Sequence, residues 1–268
     1  MKFFDSWDDV VRCVAVARDR GRMTSNFFSD EKRMARWCEK RAFSCAEFGK
    51  TTFLIRHQQD FLNLYFLTES SEDIAEDVQQ LISASVPFRW VVDVLGRDAM
   101  REPLEAAFRS AGFTALTTLQ RMSRRTPDEA FVHESGIAVA QQADAGAIRT
   151  LLLGHFNAEE EQLPELEEIQ DWINAGEIFV ARGNSEHDIR GFVIFDLSPA
   201  ALYLRYWFVS PRDRGNGLGG RLMRSMFAAG ADTKRQYFWV KTDNENAIVR
   251  YRHYGFEFEP LKDIVLAH

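Results

Sequence analysis

Positive charge is in short supply. The chain carries 33 Lys and Arg against 40 Asp and Glu, a formal net charge of −7. A general nucleic-acid binder needs a basic face to displace phosphate counterions, so the balance argues against that class. Long apolar runs are missing too: none approaches the roughly 20 residues of a membrane-spanning helix. Met1-Lys2-Phe3-Phe4-Asp5 passes straight into charged sequence without a signal-peptide pattern, and a cytoplasmic protein without membrane association is expected. The three cysteines, Cys13, Cys38 and Cys45, form no CxxC pair and read as reduced thiols. The six histidines show neither H-x-x-x-H nor H-E-x-x-H spacing, and no metal is expected.

What remains is the composition of a folded protein. Hydrophobic residues make up 46% and charged residues 27% of the 268, and at roughly 150 residues per domain the length fits two modest domains. Trp7, Val10, Val11 and Val14 predict a helix over 6–20, capped by Asp5 or Ser6 and ended by Gly21. A second helix is predicted over Asp30–Arg41, with Ser29 as its N-cap. The period then changes: 43–48, 51–57 and 61–67 are short, aromatic and β-branched, as in an antiparallel meander. A helix over 71–85, a strand over 88–95, a helix over 101–111 and a strand over 114–122 follow. Ser123–Glu129 is polar and proline-broken and reads as a linker.

Beyond it the order recurs. A strand is predicted over 137–140, helices over 143–153 and 165–175, and strands over 178–181, 189–195 and 201–209. A helix over 217–229, a strand over 237–241, a helix over 245–254 and a last strand opened by Gly255-Phe256 complete the chain. Phe61–Leu67 lies 140 residues before Ala201–Trp207, and Gly112-Phe113 lies 143 before Gly255-Phe256. An internal duplication accounts for both offsets and divides the chain into 1–125, a linker at 126–135, and 136–268; chance alternation of α+β elements is the plainer alternative.

The most informative stretch is Val209-Ser210-Pro211-Arg212-Asp213-Arg214-Gly215-Asn216-Gly217-Leu218-Gly219-Gly220. It follows an apolar strand and opens a helix. Glycines let backbone N–H groups approach an anion, and the helix N-terminus adds unpaired donors and partial positive charge. Arg214 beside them can bond a phosphate oxygen, so a diphosphate fits. A turn that only permits close strand–helix packing is the plainer alternative. Gly215, Gly217 and Gly220 also match G-x-G-x-x-G, with Asp243 as a candidate ribose-binding acid. The preceding strands form a meander instead of βαβ units, and too little chain follows for a doubly wound sheet. No Gly-Lys-Ser/Thr is present for a nucleotide P-loop.

Arg214-x-x-Gly217-x-Gly219 fits the pattern Gln/Arg-x-x-Gly-x-Gly/Ala, and Val209-x-Pro211 stands before it. Asn244-x-x-Ala247-x-x-x-Tyr251-x-x-x-Gly255-Phe256 follows at a fitting distance. On these two motifs the region 136–268 resembles the GNAT superfamily of acyl-CoA N-acyltransferases. The resemblance implies an α+β fold of two GNAT-like domains, each a mixed, mostly antiparallel sheet flanked by helices. It implies an N-acetyltransferase that takes acetyl-CoA as co-substrate and acetylates a primary amine of a small molecule, for which the acidic balance favours a cationic one. Phe208 and Val209 would offer main-chain groups to the pantetheine arm and to the oxyanion. Arg214, Gly215, Asn216, Gly217, Gly219 and Gly220 would hold the diphosphate. Asn244 would bond the pantetheine arm, and Tyr251 would protonate the leaving thiolate.

The general base is less marked. Tyr203–Val209 holds no carboxylate, which turns attention to the acidic run from Glu159 through Asp171. Glu160 is the candidate there and His155 a second one; a solvated helix face is the bland reading of the run, as a core tyrosine is of Tyr251. In the first half Thr68–Asp73 stands where the glycine loop would be, so that half reads as a degenerate copy without coenzyme binding. Two other readings stay open: a non-catalytic acyl-CoA sensor or interaction protein, and a protein or peptide N-acyltransferase. Oligomeric state, a homodimer included, is likewise open.

Overall fold

Ser6 sets the first helix. Its hydroxyl accepts the Asp9 N–H while the Asp9 carboxylate accepts the Ser6 N–H, and after the short strand β1 (Lys2–Phe3) this capping box starts α1 (Trp7–Asp19). Strand β2 (Thr24–Ser25) precedes α2 (Glu31–Glu39), which is capped by Asp30 in place of the expected Ser29. The Asp30 carboxylate accepts the Arg33 N–H at 3.0 Å. The meander follows as β3 (Phe43–Phe48), β4 (Thr51–His57) and β5 (Leu62–Thr68), paired antiparallel. Helix α3 (Ile74–Ser83) leads to β6 (Trp90–Gly96), parallel to β5, and α4 (Asp98–Ser110) leads to β7 (Thr114–Arg125). Then come β8 (Ile137–Val139), α5 (Ala145–His155), the four-residue α6 (Ala158–Glu161) and α7 (Leu166–Asn174). Strands β9 (Ile178–Arg182), β10 (Ile189–Leu197) and β11 (Ala201–Val209) form a second meander. Helix α8 (Leu218–Ala229), β12 (Arg235–Lys241), α9 (Glu245–His253) and β13 (Glu257–Ala267) complete the chain.

This computed structural model describes every residue except 86, 128–130 and 186–187. It separates into a first unit, Met1–Leu119 with Pro260–His268, and a second, Gln120–Glu259. The boundary expected from sequence at 126–135 is thereby corrected; residues 128–130 of that stretch lie outside the described residues. Ser123, Arg124 and Arg125 extend β7 because Arg124 is held in the second unit: its Nε donates to the Gln236 Oε1 at 2.9 Å, and its guanidinium lies 4.1 Å from the Phe227 ring. The last residues return to the first unit for a similar reason. Lys262–Ala267 pair antiparallel with Val91–Gly96, and Ile264 and Leu266 enter that unit's core.

In the first unit the strand order is β1–β3–β4–β5–β6–β13. Phe53, Phe66, Trp90 and Phe108 pack one face with α3 and α4, and Val10, Trp37, Phe43 and Tyr65 pack the other with α1 and α2. In the second unit the order is β7–β12–β11–β10–β9–β8. There Phe195, Met223, Phe227 and Phe238 fill the face under α8 and α9, while Ile148, Trp172, Phe192 and Phe208 fill the face under α5 and α7. Each unit is a mixed sheet between helices, an α+β fold. Among the described residues no helix is long and apolar enough to cross a membrane.

Parallel strands β5 and β6 pair only from Leu62–Leu64 to Trp90–Val92 and then part. The chain fills the gap itself. Thr24 and Ser25 pair with Thr68 and Leu67, and the Asn26 amide donates to the carbonyls of Leu64 (3.2 Å) and Asp93 (2.9 Å) while accepting the Phe66 N–H (2.8 Å). Buried main-chain groups on both strands thus find partners. Asn26→Ala leaves them unpaired and is expected to destabilise the first unit by about 2–3 kcal/mol, read from urea denaturation of the full chain. A loss under about 0.5 kcal/mol would deny the wedge a structural role.

Candidate functional site

In the second unit the parallel pair also parts, and here no strand among the described residues enters. β11 and β12 are in register only from Ala201–Leu204 to Arg235–Phe238, although β11 runs on to Val209 and β12 to Lys241. The break falls at Arg205. On the other side of β11, Leu204 pairs with Phe195 but Tyr206 pairs with Ile194, so Arg205 is an extra residue in the ladder. A bulge increases the local twist and turns the following side chains to opposite faces. Leu202 and Leu204 face the α8 side, and past the bulge Tyr206 and Phe208 face the α5 side. Trp207 and Val209 therefore come round to the α8 side, where they line a cavity of about 500 Å³ with the glycine loop and α9.

The same alternation fixes the main chain. The Ser210 N–H donates to the Arg190 carbonyl at 2.8 Å, so every second residue of β11 is turned toward β10. Phe208 is one of these: its carbonyl lies against Gly191 of β10. That corrects the expectation that Phe208 offers its main chain to a ligand. Val209 faces the gap, and its carbonyl accepts from the Arg214 Nε at 3.2 Å.

The loop that follows sorts its glycines into two kinds. Gly215 (φ +84°) and Gly217 (φ +75°) lie in the left-handed region, and a Cβ on either would meet nothing within 4 Å, so both border open space. Gly217 is the N-cap of α8 and makes no side-chain cap bond, which leaves the first N–H groups of the helix to an outside acceptor. Arg214 and Asn216 are exposed beside them. This arrangement, an uncapped helix start with a cradle open at two glycines and a guanidinium alongside, fits a diphosphate. Gly219 is needed for packing instead: a Cβ there would come within 2.8 Å of the Trp207 ring. Gly220 lies by the Tyr254 hydroxyl, at 3.4 Å from an added Cβ.

Helix α9 forms the other wall. Asn244 is exposed and caps the helix, its Oδ1 accepting the Ala247 N–H at 3.2 Å. Val249, Arg250, His253 and Tyr254 line the cavity; sequence reasoning passed over all four, though each lies on, or directly after, the helix that carries the second motif. Tyr251 is buried one layer below, its ring 4.0 Å from Phe238 and 5.8 Å from Trp207. Burial pushes its phenol further above its ordinary range, with Arg250 opposing and the Glu161 carboxylate adding to the effect.

Across the gap, on the α5 side, α6 reaches both open strands. The Tyr206 hydroxyl donates to the Glu161 carbonyl at 3.1 Å, and Lys241 at the end of β12 pairs with Glu160 and, at 3.1 Å, with Glu161. Glu160, the candidate base of the sequence, accepts from Lys241 and from the Asn157 amide. Burial raises the Glu161 carboxyl above the usual carboxylate range, with Lys241 holding it partly down. The His155 ring lies tilted against the Phe208 ring, 4.7 Å between centroids. Among the described residues no group of three His, Cys, Asp or Glu side chains could hold a metal ion.

A mixed α+β sheet that parts beside an uncapped, glycine-led helix defines the class of fold. Residues 146–256, within the second unit, match the model of the Acetyltransferase (GNAT) family. Among solved structures the fold resembles a tandem GNAT protein from the clavulanic acid biosynthesis pathway, at TM-score 0.63 and 12% identity over 98% of this chain and 96% of that one. It also resembles an acetyltransferase from the GNAT family of Colwellia psychrerythraea, at TM-score 0.57 and 16% identity over 99% and 97%. A third is a GCN5-related N-acetyltransferase from Sphaerobacter thermophilus, at TM-score 0.57 and 13% identity over 97% and 91%. Among curated protein sequences none matches the chain.

Gly217→Glu puts a carboxylate into the cradle at a left-handed position. If the cradle holds the diphosphate of an acyl-CoA, coenzyme A affinity falls by about 100-fold or more in calorimetry, roughly 3 kcal/mol, with a loss of stability of about 1–2 kcal/mol. Unchanged affinity would remove the loop from the binding site.

Proposed function

We propose that the second unit is an N-acetyltransferase that moves the acetyl group of acetyl-CoA to a primary amine of a small molecule by direct attack. The carrying observation is the open V between β11 and β12, which leads onto the Gly215–Gly217 cradle at the start of α8. The diphosphate rests on the free N–H groups of α8 and on Arg214, which exchanges the Val209 carbonyl for a phosphate oxygen. The pantetheine arm then lies along Val209 as an added strand, with Asn244 near it, and the thioester reaches the V. The first unit keeps a matching element order, but Asn26 and β2 occupy its V. We read it as the copy that has lost coenzyme binding.

Three tasks follow for the chain's own residues. The amine approaches from the α6 side, since the coenzyme takes the α8 side, and gives its proton through water to Glu161. The attack builds negative charge on the thioester oxygen, toward which the Val209 N–H is the available main-chain donor. As the tetrahedral intermediate collapses, the C–S bond breaks, Tyr251 supplies a proton to the leaving sulfur, and the second proton of the newly bonded nitrogen passes through water to restore the phenol. Its raised pKa keeps the phenol protonated until then. No hydrogen bond engages the Tyr251 hydroxyl among the described residues, so the proton is not shared elsewhere.

Thiol release from acetyl-CoA over an amine panel tests the proposal; tight binding without turnover would favour a sensor. In that assay Tyr251→Phe is expected to lower kcat by about 10- to 100-fold with acetyl-CoA affinity nearly unchanged. A base must be deprotonated, so rate rises with pH through the Glu161 pKa, and its elevation places that limb above the usual carboxylate range. Lys241 opposes the elevation. Lys241→Ala should therefore move the acid limb to higher pH, and a limb unmoved in the pH–kcat/KM profile would exclude Glu161.

A further inference from the structure

Resting on the acetyl-transfer reading of the second unit, we infer that the acceptor amine carries a carboxylate at its far end, held by Arg121. Alternate residues of β12 set the frame. Phe238 and Val240 enter the core under α8 and α9, so Tyr237, Trp239 and Lys241 line the opposite face, each half-buried. This face rises toward the V, and its charges are unbalanced at two heights.

At the top Lys241 meets two carboxylates, Glu160 and Glu161, which leaves one negative charge in excess. Lower down the imbalance reverses. Glu259 serves two guanidiniums, accepting from the Arg121 Nε at 2.8 Å and Nη2 at 2.6 Å on one oxygen and from Arg235 on the other, which leaves one positive charge in excess. The Arg121 guanidinium lies 5.6 Å from the Tyr237 ring and 5.9 Å from the Trp239 ring, between them in height. Its Nη1 makes no hydrogen bond among the described residues.

From that height to Lys241 is three residues of strand, roughly 10 Å at ~3.3 Å per residue. An amine at Glu161 and a carboxylate at Arg121 are thus joined by a chain of about six to seven bonds, with Trp239 as an apolar wall for its methylenes. A lysine-like ε-amine with a free carboxylate meets these terms. A diamine would set its second cation against the surplus at Arg121, and a plain alkylamine would leave both that charge and its donor unused.

The test compares two acceptors in the thiol-release assay: Nα-acetyllysine, and its methylamide, which keeps the ε-amine and loses the carboxylate. We expect kcat/KM to be about tenfold or more higher for the carboxylate, the effect of one charge-assisted contact. Arg121→Ala should erase the difference by raising KM for the carboxylate alone, with kcat held within about twofold, and Arg121→Lys should restore part of it. Equal rates for the two acceptors with the unaltered protein would overturn the inference. So would an equal loss for both in Arg121→Ala, or acetyl-CoA binding in calorimetry without turnover of the carboxylate-bearing amine. Absence of acetyl-CoA binding would instead remove the acetyl-transfer reading on which the inference rests.

Discussion

One extra residue, Arg205, governs the geometry of the second unit. Were Arg205 an ordinary ladder position and not a bulge, β11 would keep its alternation and Trp207 would point toward α5. With it, the strand twists away from β12, exposes the main-chain edge of Val209, and brings Trp207 and Val209 to the α8 side. The bulge is held in place: Arg205 pairs with Asp196 on β10, which also accepts the Trp172 Nε1–H at 3.0 Å, and its guanidinium lies 5.0 Å from the Trp172 ring. An unpaired strand edge is a liability in most sheets. Here it is kept short, by a bulge at one end and the glycine turn at the other.

The first unit shows the same break resolved in another way. Its parallel pair also separates after three residues, yet Asn26 bridges both strands and Ser25 adds a hydroxyl bond to Phe66. A ligand there would have to displace several buried hydrogen bonds, each of which would cost about 1 kcal/mol or more to leave unmade. The loss of glycine at Thr68–Asp73 is then one of two barriers. Even a restored loop would face a filled groove.

How much of this was legible in the sequence follows from how local each feature is. The loop was readable because left-handed glycines and an uncapped helix start are written in consecutive residues, and the meanders because period-two runs of aromatic residues have few other uses. The wedge at Thr24–Asn26 was not, since two residues show no period and their partners lie some forty positions away. A single-residue bulge leaves the apolar alternation of Ala201–Val209 looking regular, which is why Phe208 was given a role that its backbone direction denies it. Glu160 and Glu161 differ by one position in an acidic run; only the fold, which gives Glu160 the Asn157 amide as a second partner and raises the Glu161 carboxyl by burial, separates them. The extent of β7 was hidden by its polar end, whose Arg124 is accommodated by the rings of Phe227 and Phe256, far along the chain.

Arg124 also bears on where the second unit can be divided. Burial depresses its guanidinium pKa to about 10, a sign of how far it sits from water, and its Nη1 donates to the Tyr254 carbonyl at the end of α9. The same helix supplies the cavity wall through Arg250, His253 and Tyr254. A piece beginning near residue 130 would lack this arginine and the whole of β7, and would expose the edge of β12 that β7 covers. The main-chain donors and acceptors of Arg235–Lys241 would then lack their neighbour on that side, as those beyond Phe238 already do on the other. Beyond Phe238 the strand would then be unpaired on both edges, with no ladder to fix its direction. The geometry of the V therefore depends on residues outside the segment that carries the loop and the second motif.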